Sequence, residues 1–271
     1  MLTLTLKEQP SVPLEAEALS PDLTAGLPPE AVRALPVHLG KRQLRVADFF
    51  DVDGSPGDEL VIRGAADKVK WIGRGMTRGR ISIEGNAGMH LGAYMKGGSI
   101  EVSGSVSDWL GAEMTGGSIR VRGNAGGQVG AAYRGSLSGM RDGTILIDGS
   151  AGLEVGMRMR RGLIAVGGSV RDFAGLEMKG GTIVLRGGAE LRTGAWMSRG
   201  TIVSLPQIPL LPTFTYTSTY NPTFLRLCGR YLSTHGFTLP YEERAGAYRR
   251  YLGDSSVPGK GEIFVFQPHA S

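Results

Sequence analysis

The stretch GAYMKGGSIEVSG at 92–104 returns 19 residues later as GAEMTGGSIRVRG at 111–123. One glycine column runs Gly73, Gly92, Gly111, Gly130, Gly156, Gly175 and Gly194. A second runs Gly79, Gly98, Gly117, Gly143, Gly162, Gly181 and Gly200. Met76, Met95, Met114, Met140, Met159, Met178 and Met197 keep the same beat. Every step is 19 residues except one of 26, which is one unit plus an insertion of seven. Tyr133 stands 19 after Met114, so the insertion is expected to follow it. A fixed period of this length is the mark of a repeat architecture.

After the second glycine each unit carries a short alternating segment, such as SIEVS, SIRVR and TIVLR. That alternation is a strand signal. Isoleucine holds one inward position in all seven units: Ile81, Ile100, Ile119, Ile145, Ile164, Ile183 and Ile202. Ile83, Val102, Val121, Ile147, Val166 and Leu185 hold the next, and Ser204 ends the column. Nineteen residues are too few for a βαβ unit, which needs ~30. They suit one turn of a β-solenoid, whose equivalent residues stack over one another in parallel strands ~4.8 Å apart. The expected fold is an all-β core, a parallel β-helix of about seven 19-residue coils. The outward position between the two inner columns reads Ser82, Glu101, Arg120, Leu146, Ala165, Val184 and Val203. It begins polar and ends apolar, so the later coils are expected to lie under the C-terminal segment or a partner protein.

The repeat occupies 59–204. Residues 1–58 lack it and read as a small N-terminal cap, with a strand at LTLTL (2–6) and helical turns at PPEAVRAL (28–35) and VADFFDV (46–52). DELVIRG (58–64) resembles a leading coil strand. Residues 205–271 read as a C-terminal α/β extension: a helix in NPTFLRLCGRYLSTHG (221–236) and a last strand in GEIFVFQP (261–268). In that helix Asn221 is the expected N-cap, Pro222 N1 and Gly236 the stop. Its expected apolar stripe is Phe224, Leu225, Cys228, Tyr231 and Leu232.

Little in the chain points to catalysis. The four histidines, His38, His90, His235 and His269, are far apart, and CxxC, HExxH and GxSxG are absent. No catalytic residue, metal ligand or intrinsic cofactor is expected. GRGMTRG (73–79) looks like a nucleotide loop, but its glycines are repeat glycines. His90 and Trp109 fall at corners and read as packing or interface residues. One cysteine, Cys228, allows no internal disulfide and suits a reducing compartment. The N-terminus has no signal-peptide pattern and no apolar run reaches ~18 residues, so a cytoplasmic, membrane-free protein is expected.

The net charge of +5 favours an acidic partner. The position after the methionine column aligns Lys96, Arg141, Arg160 and Lys179, with Arg78, Arg161 and Arg199 beside them. Stacked coils would hold these cations in a row. They are either a solvated rim, a salt-bridged contact with a partner protein or a track for an extended polyanion. Nucleic acid is disfavoured because no aromatics interleave with the row.

GNAGMHLG (85–92), GNAGGQVG (123–130) and GSAGLEVG (149–156) share a G-x-x-G-x-x-x-G spacing. This resembles the right-handed β-helix at the C-terminus of the glutamate synthase large subunit. LEAEALSPD (14–22), ADFFDVDG (47–54), HLGAYMKGGSIEVSG (90–104), SLSGMRDGTILIDG (136–149) and GDSSVPGKGEIFV (253–265) resemble the C subunits of formylmethanofuran dehydrogenase and of the bacterial formyltransferase/hydrolase complex. That resemblance covers nearly the whole chain. It implies a non-catalytic scaffold in a hetero-oligomer with the A, B and D subunits, of which the first resembles amidohydrolases. The D subunit moves a formyl group between tetrahydromethanopterin and a methanofuran-type carrier. The bacterial complex releases that group as formate, whereas the archaeal enzymes add molybdopterin and iron–sulfur proteins. The carriers have polyglutamate tails, for which the basic row is a candidate seat. With 23 arginines against 7 lysines the chain fits a high-GC genome and leans to the bacterial complex, although no motif decides. An isolated glutamate synthase-type domain would leave the termini unexplained, and a pectate-lyase-type enzyme would need stacked carboxylates that the columns lack.

Overall fold

The computed structural model describes residues 1–240 and 245–269. The N-terminal region comprises β1 (Leu2–Leu6), β2 (Leu14–Glu15), α1 (Pro21–Thr24), α2 (Pro29–Arg33), β3 (Pro36–Leu39), β4 (Arg42–Arg45), α3 (Val46–Phe49), β5 (Phe50–Gly54), β6 (Glu59–Arg63) and β7 (Val69–Lys70). The repeat strands are β8 (Arg80–Glu84), β9 (Lys96–Val102), β10 (Thr115–Val121), β11 (Asp142–Ile147), β12 (Leu163–Val166), β13 (Lys179–Leu185) and β14 (Arg199–Ser204). β15 (Thr215–Tyr220), α4 (Thr223–Ser233), β16 (Gly246–Gly253) and β17 (Gly261–Pro268) follow.

Each repeat strand pairs in parallel with the next in the register set by the repeat. Ile100 faces Ile119, Ile119 faces Ile145, and Ile164 faces Ile183. Two further lines of hydrogen bonds join successive turns. Isolated parallel bridges link Ala66, Ala87, Val106 and Ala125 in sequence. Beyond the next corner Gly92 N–H donates to Ile72 O (2.9 Å), Gly111 to Leu91 O (2.8 Å) and Gly130 to Leu110 O (2.8 Å). Parallel strands in this register, bonded along three lines, follow the course of a β-helix. Its interior is the stacked isoleucine column, and the seven methionines beside it are fully buried.

The corners are tight, and at one column their backbone is left-handed even without glycine. Trp71, His90, Trp109, Gln128, Glu154, Phe173 and Arg192 all have φ between 57° and 67°. That conformation costs an L-residue roughly 1–2 kcal/mol. Bonds from corner amides to the next turn offset it, as in His90 N–H to Asp108 O at 3.0 Å and Trp109 N–H to Gly127 O at 2.9 Å. The insertion starts at Tyr133 itself rather than after it. Met140, not Tyr133, fills the methionine position, and its N–H closes the loop on Gly130 O at 2.8 Å.

Both ends join the same sheet. β1 pairs in parallel with β6 and antiparallel with β5, and Leu2, Leu4, Phe50 and Val52 continue the buried core. At the other end β17 lies parallel to β14, with Ile263 facing Ile202 and Val265 facing Ser204. The tail strand thus resumes the inner columns where the repeat breaks off. β16 and β15 complete that edge in antiparallel pairing.

The apolar outer column lies under this tail. Leu146, Ala165, Val184 and Val203 pack in one buried cluster with Leu225, Leu232, Phe237, Leu239, Tyr248 and Phe264. A large apolar side chain in such a cluster contributes about 1.5–3 kcal/mol by leaving water. Phe237 also lies under the guanidiniums of Arg120 (4.6 Å) and Arg186 (5.8 Å). α4 differs from expectation at its start. Pro222, not Asn221, is its N-cap, and the Asn221 amide donates to Gly246 O at 2.9 Å and ties the helix to β16. The stripe is also narrower: Leu225, Gly229 and Leu232 are buried, Cys228 is half-buried, and Phe224 and Tyr231 stand 37% and 42% exposed.

Candidate functional site

A strongly basic concavity lies where the later repeat strands begin. The backbone fixes its row. Arg141 N–H donates to Met114 O (2.8 Å), Arg160 to Met140 O (2.8 Å), Lys179 to Met159 O (2.7 Å) and Ser198 to Met178 O (2.9 Å). Lys260 N–H donates to Ser198 O (2.7 Å), and the register that sets Glu262 opposite Thr201 places Lys260 beside Arg199 on the next strand. Arg161 and Arg199 stand one position further along. These coils turn a sequence period into a spatial array of cations.

Arg141, Arg160, Arg161, Lys179, Arg199 and Lys260 line one open pocket of about 890 Å³, floored by Gly180, Gly181, Gly200 and the threonines Thr182 and Thr201. All six cations are exposed, and none forms an ion pair among the described residues. The one carboxylate in the lining, Glu262, is already engaged. It accepts from Arg250 Nε and from Thr201 Oγ1, both at 2.8 Å. From the Arg141 rung to the Lys260 rung there are four strand spacings, roughly 19 Å. A single small anion would meet one or two of these charges. An extended chain carrying several negative charges would meet all of them, and would relieve their mutual repulsion.

Not every expected member of the row belongs to this pocket. Lys96 is set apart because Thr115 occupies the rung between it and Arg141. Arg78 lies at the far end of the repeat, 3.9 Å from Asp58. Lys260 is the member that periodicity alone passes over. Its signal is local: Lys260 precedes Gly261 as Arg199 precedes Gly200.

A second cluster sits on the corner column of the earlier coils. Trp71 and His90 stack at 4.1 Å, and Trp109 and Tyr133 stack at 4.7 Å. His90 Nδ1 and the Tyr133 hydroxyl share a hydrogen bond of 2.8 Å. Arg74 lies over Trp71 (5.3 Å) and Tyr94 (5.5 Å) and pairs with Glu17. Burial and the nearby Lys70 ammonium push the His90 imidazole down to about 4, against a smaller opposing pull from Asp108. A neutral, stacked imidazole serves packing. Here Trp71, His90 and Trp109 are consecutive rungs, one repeat apart, and the insertion supplies the closing ring, Tyr133.

The GXGXG motif family model matches residues 60–207. The C subunit of tungsten-containing formylmethanofuran dehydrogenase 2 from Methanothermobacter thermautotrophicus is 39% identical over 97 residues, 34% of this chain and 36% of that protein. The C subunit of the molybdenum-containing enzyme 1 from Methanosarcina barkeri is 37% identical over 90 residues, 31% and 30% of the two chains. These matches span about a third of the curated relatives. A chain in the crystal structure of the formyltransferase/hydrolase complex FhcABCD from Methylorubrum extorquens, solved with methylofuran, superposes with a TM-score of 0.88. It is 34% identical, and the likeness covers 97% of this chain and 98% of that one. The described residues contain no helix long and apolar enough to cross a membrane. The chain belongs to the GXGXG family, in the group formed by the C subunits of formylmethanofuran dehydrogenase and their counterpart in the formyltransferase/hydrolase complex.

Proposed function

We propose that this chain is the non-catalytic scaffold of a cytoplasmic formyltransferase/hydrolase complex. In that role it stands between the proteins that move a formyl group from tetrahydromethanopterin to a methanofuran-type carrier and on to formate. It forms a right-handed β-helix of about seven coils, with 1–58 and 205–271 as its caps. The observation that carries this reading is the end-to-end likeness to a chain of the Methylorubrum complex. The corner histidine, neutral and stacked, agrees with a structural part. The dehydrogenase matches leave membership of a tungsten or molybdenum enzyme as a second reading.

The cleft of Arg141, Arg160, Arg161, Lys179, Arg199 and Lys260 holds the carrier's polyglutamate tail in this proposal. Its charge, its length and its six cations without an ion-pair partner among the described residues suit a linear polycarboxylate. Holding the tail keeps the furan end at high effective concentration near both reactions, without new contacts at either. The test is formyl transfer by the assembled complex with carriers of long and short glutamyl tails. With Arg160→Glu and Arg161→Glu together, KM for the long-tailed carrier should rise to that of the short-tailed one, with kcat unchanged. An unchanged KM for the long-tailed carrier contradicts tail binding.

A further inference from the structure

β15 ends the thirteen-stranded sheet, pairing with β16 on one side and with nothing among the described residues on the other. Edge strands invite pairing with other chains, and charged side chains usually guard them. The opposite edge, β5, carries Asp51 and Asp53, and the edge strand β4 of the smaller sheet carries Arg42 and Arg45. β15 reads TYTSTY, without a charge, and its one irregularity is a register shift between Tyr216 and Ser218. The helix that follows is also unpartnered on one face. Phe224, Leu227 and Tyr231, spaced i, i+3 and i+7 on α4, are exposed, Leu227 at 70%. Five of the twelve exposed large hydrophobic residues among those described fall between Tyr216 and Tyr231, so the exposure is a patch rather than scatter. Its rings are held in place. Tyr220 and Phe224 both rest on Phe264, at 6.0 and 5.8 Å, and the Tyr231 hydroxyl donates to Thr144 Oγ1 at 3.1 Å. Fixed aromatic anchors of this kind carry much of the energy of an interface.

We propose that the β15 edge and the exposed stripe of α4 form one docking surface for a different protein chain, whose acidic segment adds a strand to β15 and sets apolar side chains on Phe224 and Leu227. This rests on the reading of the chain as one subunit of an assembly, and states where one partner sits and what its chemistry is. Charge selects the occupant. Arg226 and Arg230 stand one turn apart on α4 beside the stripe, and Arg249 lies over Tyr216 at 5.2 Å. None of the three forms an ion pair among the described residues. A second copy of this chain would bring the same arginines together across a two-fold axis. A partner with carboxylates flanking its strand neutralises them instead. Main-chain hydrogen bonds to the free edge then supply affinity, and the aromatic and leucine side chains supply register.

The experiment is hydrogen exchange on the full chain, alone and within the assembly purified from its own host. Amides of residues 215–220 should exchange about 10-fold more slowly or better in the assembly, because they gain strand partners there. Leu227→Asp changes a solvent-facing side chain, so the urea midpoint of the isolated chain should stay in place while binding of the partner weakens about 30-fold. Arg226→Glu with Arg230→Glu should weaken binding at low salt and remove most of its salt dependence. An intact assembly in which exchange at 215–220 is unchanged overturns the docking surface and leaves the scaffold reading standing. Full affinity in Leu227→Asp overturns the part given to the stripe, and full affinity with unaltered salt dependence in the double arginine variant overturns the acidic partner. Protection by a second copy, read as a doubled mass of the isolated chain, overturns the choice of a different chain. A chain that occurs in its host without protein partners overturns both the docking surface and the scaffold reading.

Discussion

The Cε methyl of Met95 stands 2.7 Å from the place a β-carbon on Gly117 would occupy. The same relation holds for Met76 and Gly98 at 2.6 Å, and for Met159 and Gly181 at 2.7 Å. On the other glycine column the neighbour is isoleucine: a β-carbon on Gly111 would lie 2.6 Å from Ile145 Cδ1. Glycine, methionine and isoleucine recur together because each glycine leaves the room that a side chain of an adjacent coil fills.

Gly117→Ala is therefore expected to destabilise the chain by about 1–3 kcal/mol, from overpacking and from a φ of +85°. Gly135→Ala is the control. Its φ is +87° but nothing lies within 4 Å of its added carbon. Urea midpoints should fall clearly further for Gly117→Ala, and equal losses would mean that backbone strain alone sets the glycine column.

The outer column should respond oppositely at its two ends. Val203→Lys places an ammonium in the buried cluster of Leu225 and Phe264 and should cost about 3 kcal/mol or more. Ser82→Lys occupies the same column on a half-exposed rung opposite Glu101 and should stay within about 0.5 kcal/mol. Thermal unfolding of the pair distinguishes them. Similar losses at both sites would show that the earlier coils are also covered.

The His90 corner sets a pH dependence. Its folded value of about 4 lies below the ordinary 6.5, so the folded chain holds the imidazole neutral while the unfolded chain protonates it. The contribution is whole above pH 6.5 and is lost as pH falls from there toward 4. The full shift corresponds to about 3 kcal/mol, which the ring's partial exposure to water reduces to about 1–2. His90→Phe should flatten the urea-midpoint profile between about pH 7 and 4.5. A variant profile as steep as the parent's would assign the acid sensitivity elsewhere.

Charge in the cleft is expected to show as salt sensitivity. Retention of a polyglutamate probe on the full chain should drop sharply between about 0.05 and 0.5 M salt, as exposed charges are screened. Lys96→Glu, on the far side of Thr115, should change it little, whereas Arg160→Glu should weaken it at least several-fold. A matching loss from Lys96→Glu would extend the track to the earlier coils.

Much of this is legible because a 19-residue period maps position in sequence onto position in space. The isoleucine columns, the methionine column and the apolar outer face all follow from it. The features that escape the period depend on distant parts of the chain. Lys260 joins the row only because a tail strand pairs as another rung. Asn221 has the local pattern of a cap, but a distant carbonyl, Gly246 O, takes its amide. Arg78 obeys the period, yet it sits next to Asp58 at the other end of the stack. The Trp71–His90–Trp109 stack is written in the repeat, but Tyr133 reaches it only through the insertion.

The most direct measurement is the mass and composition of the assembly that forms around this chain in its own host. The tagged chain would be purified and weighed by native and denaturing mass spectrometry. Stoichiometric partners resembling the A, B and D subunits of the formyltransferase/hydrolase, with no molybdopterin or tungstopterin protein, are the expected result. A lone chain with formyl-transfer or hydrolytic activity of its own would contradict the scaffold account.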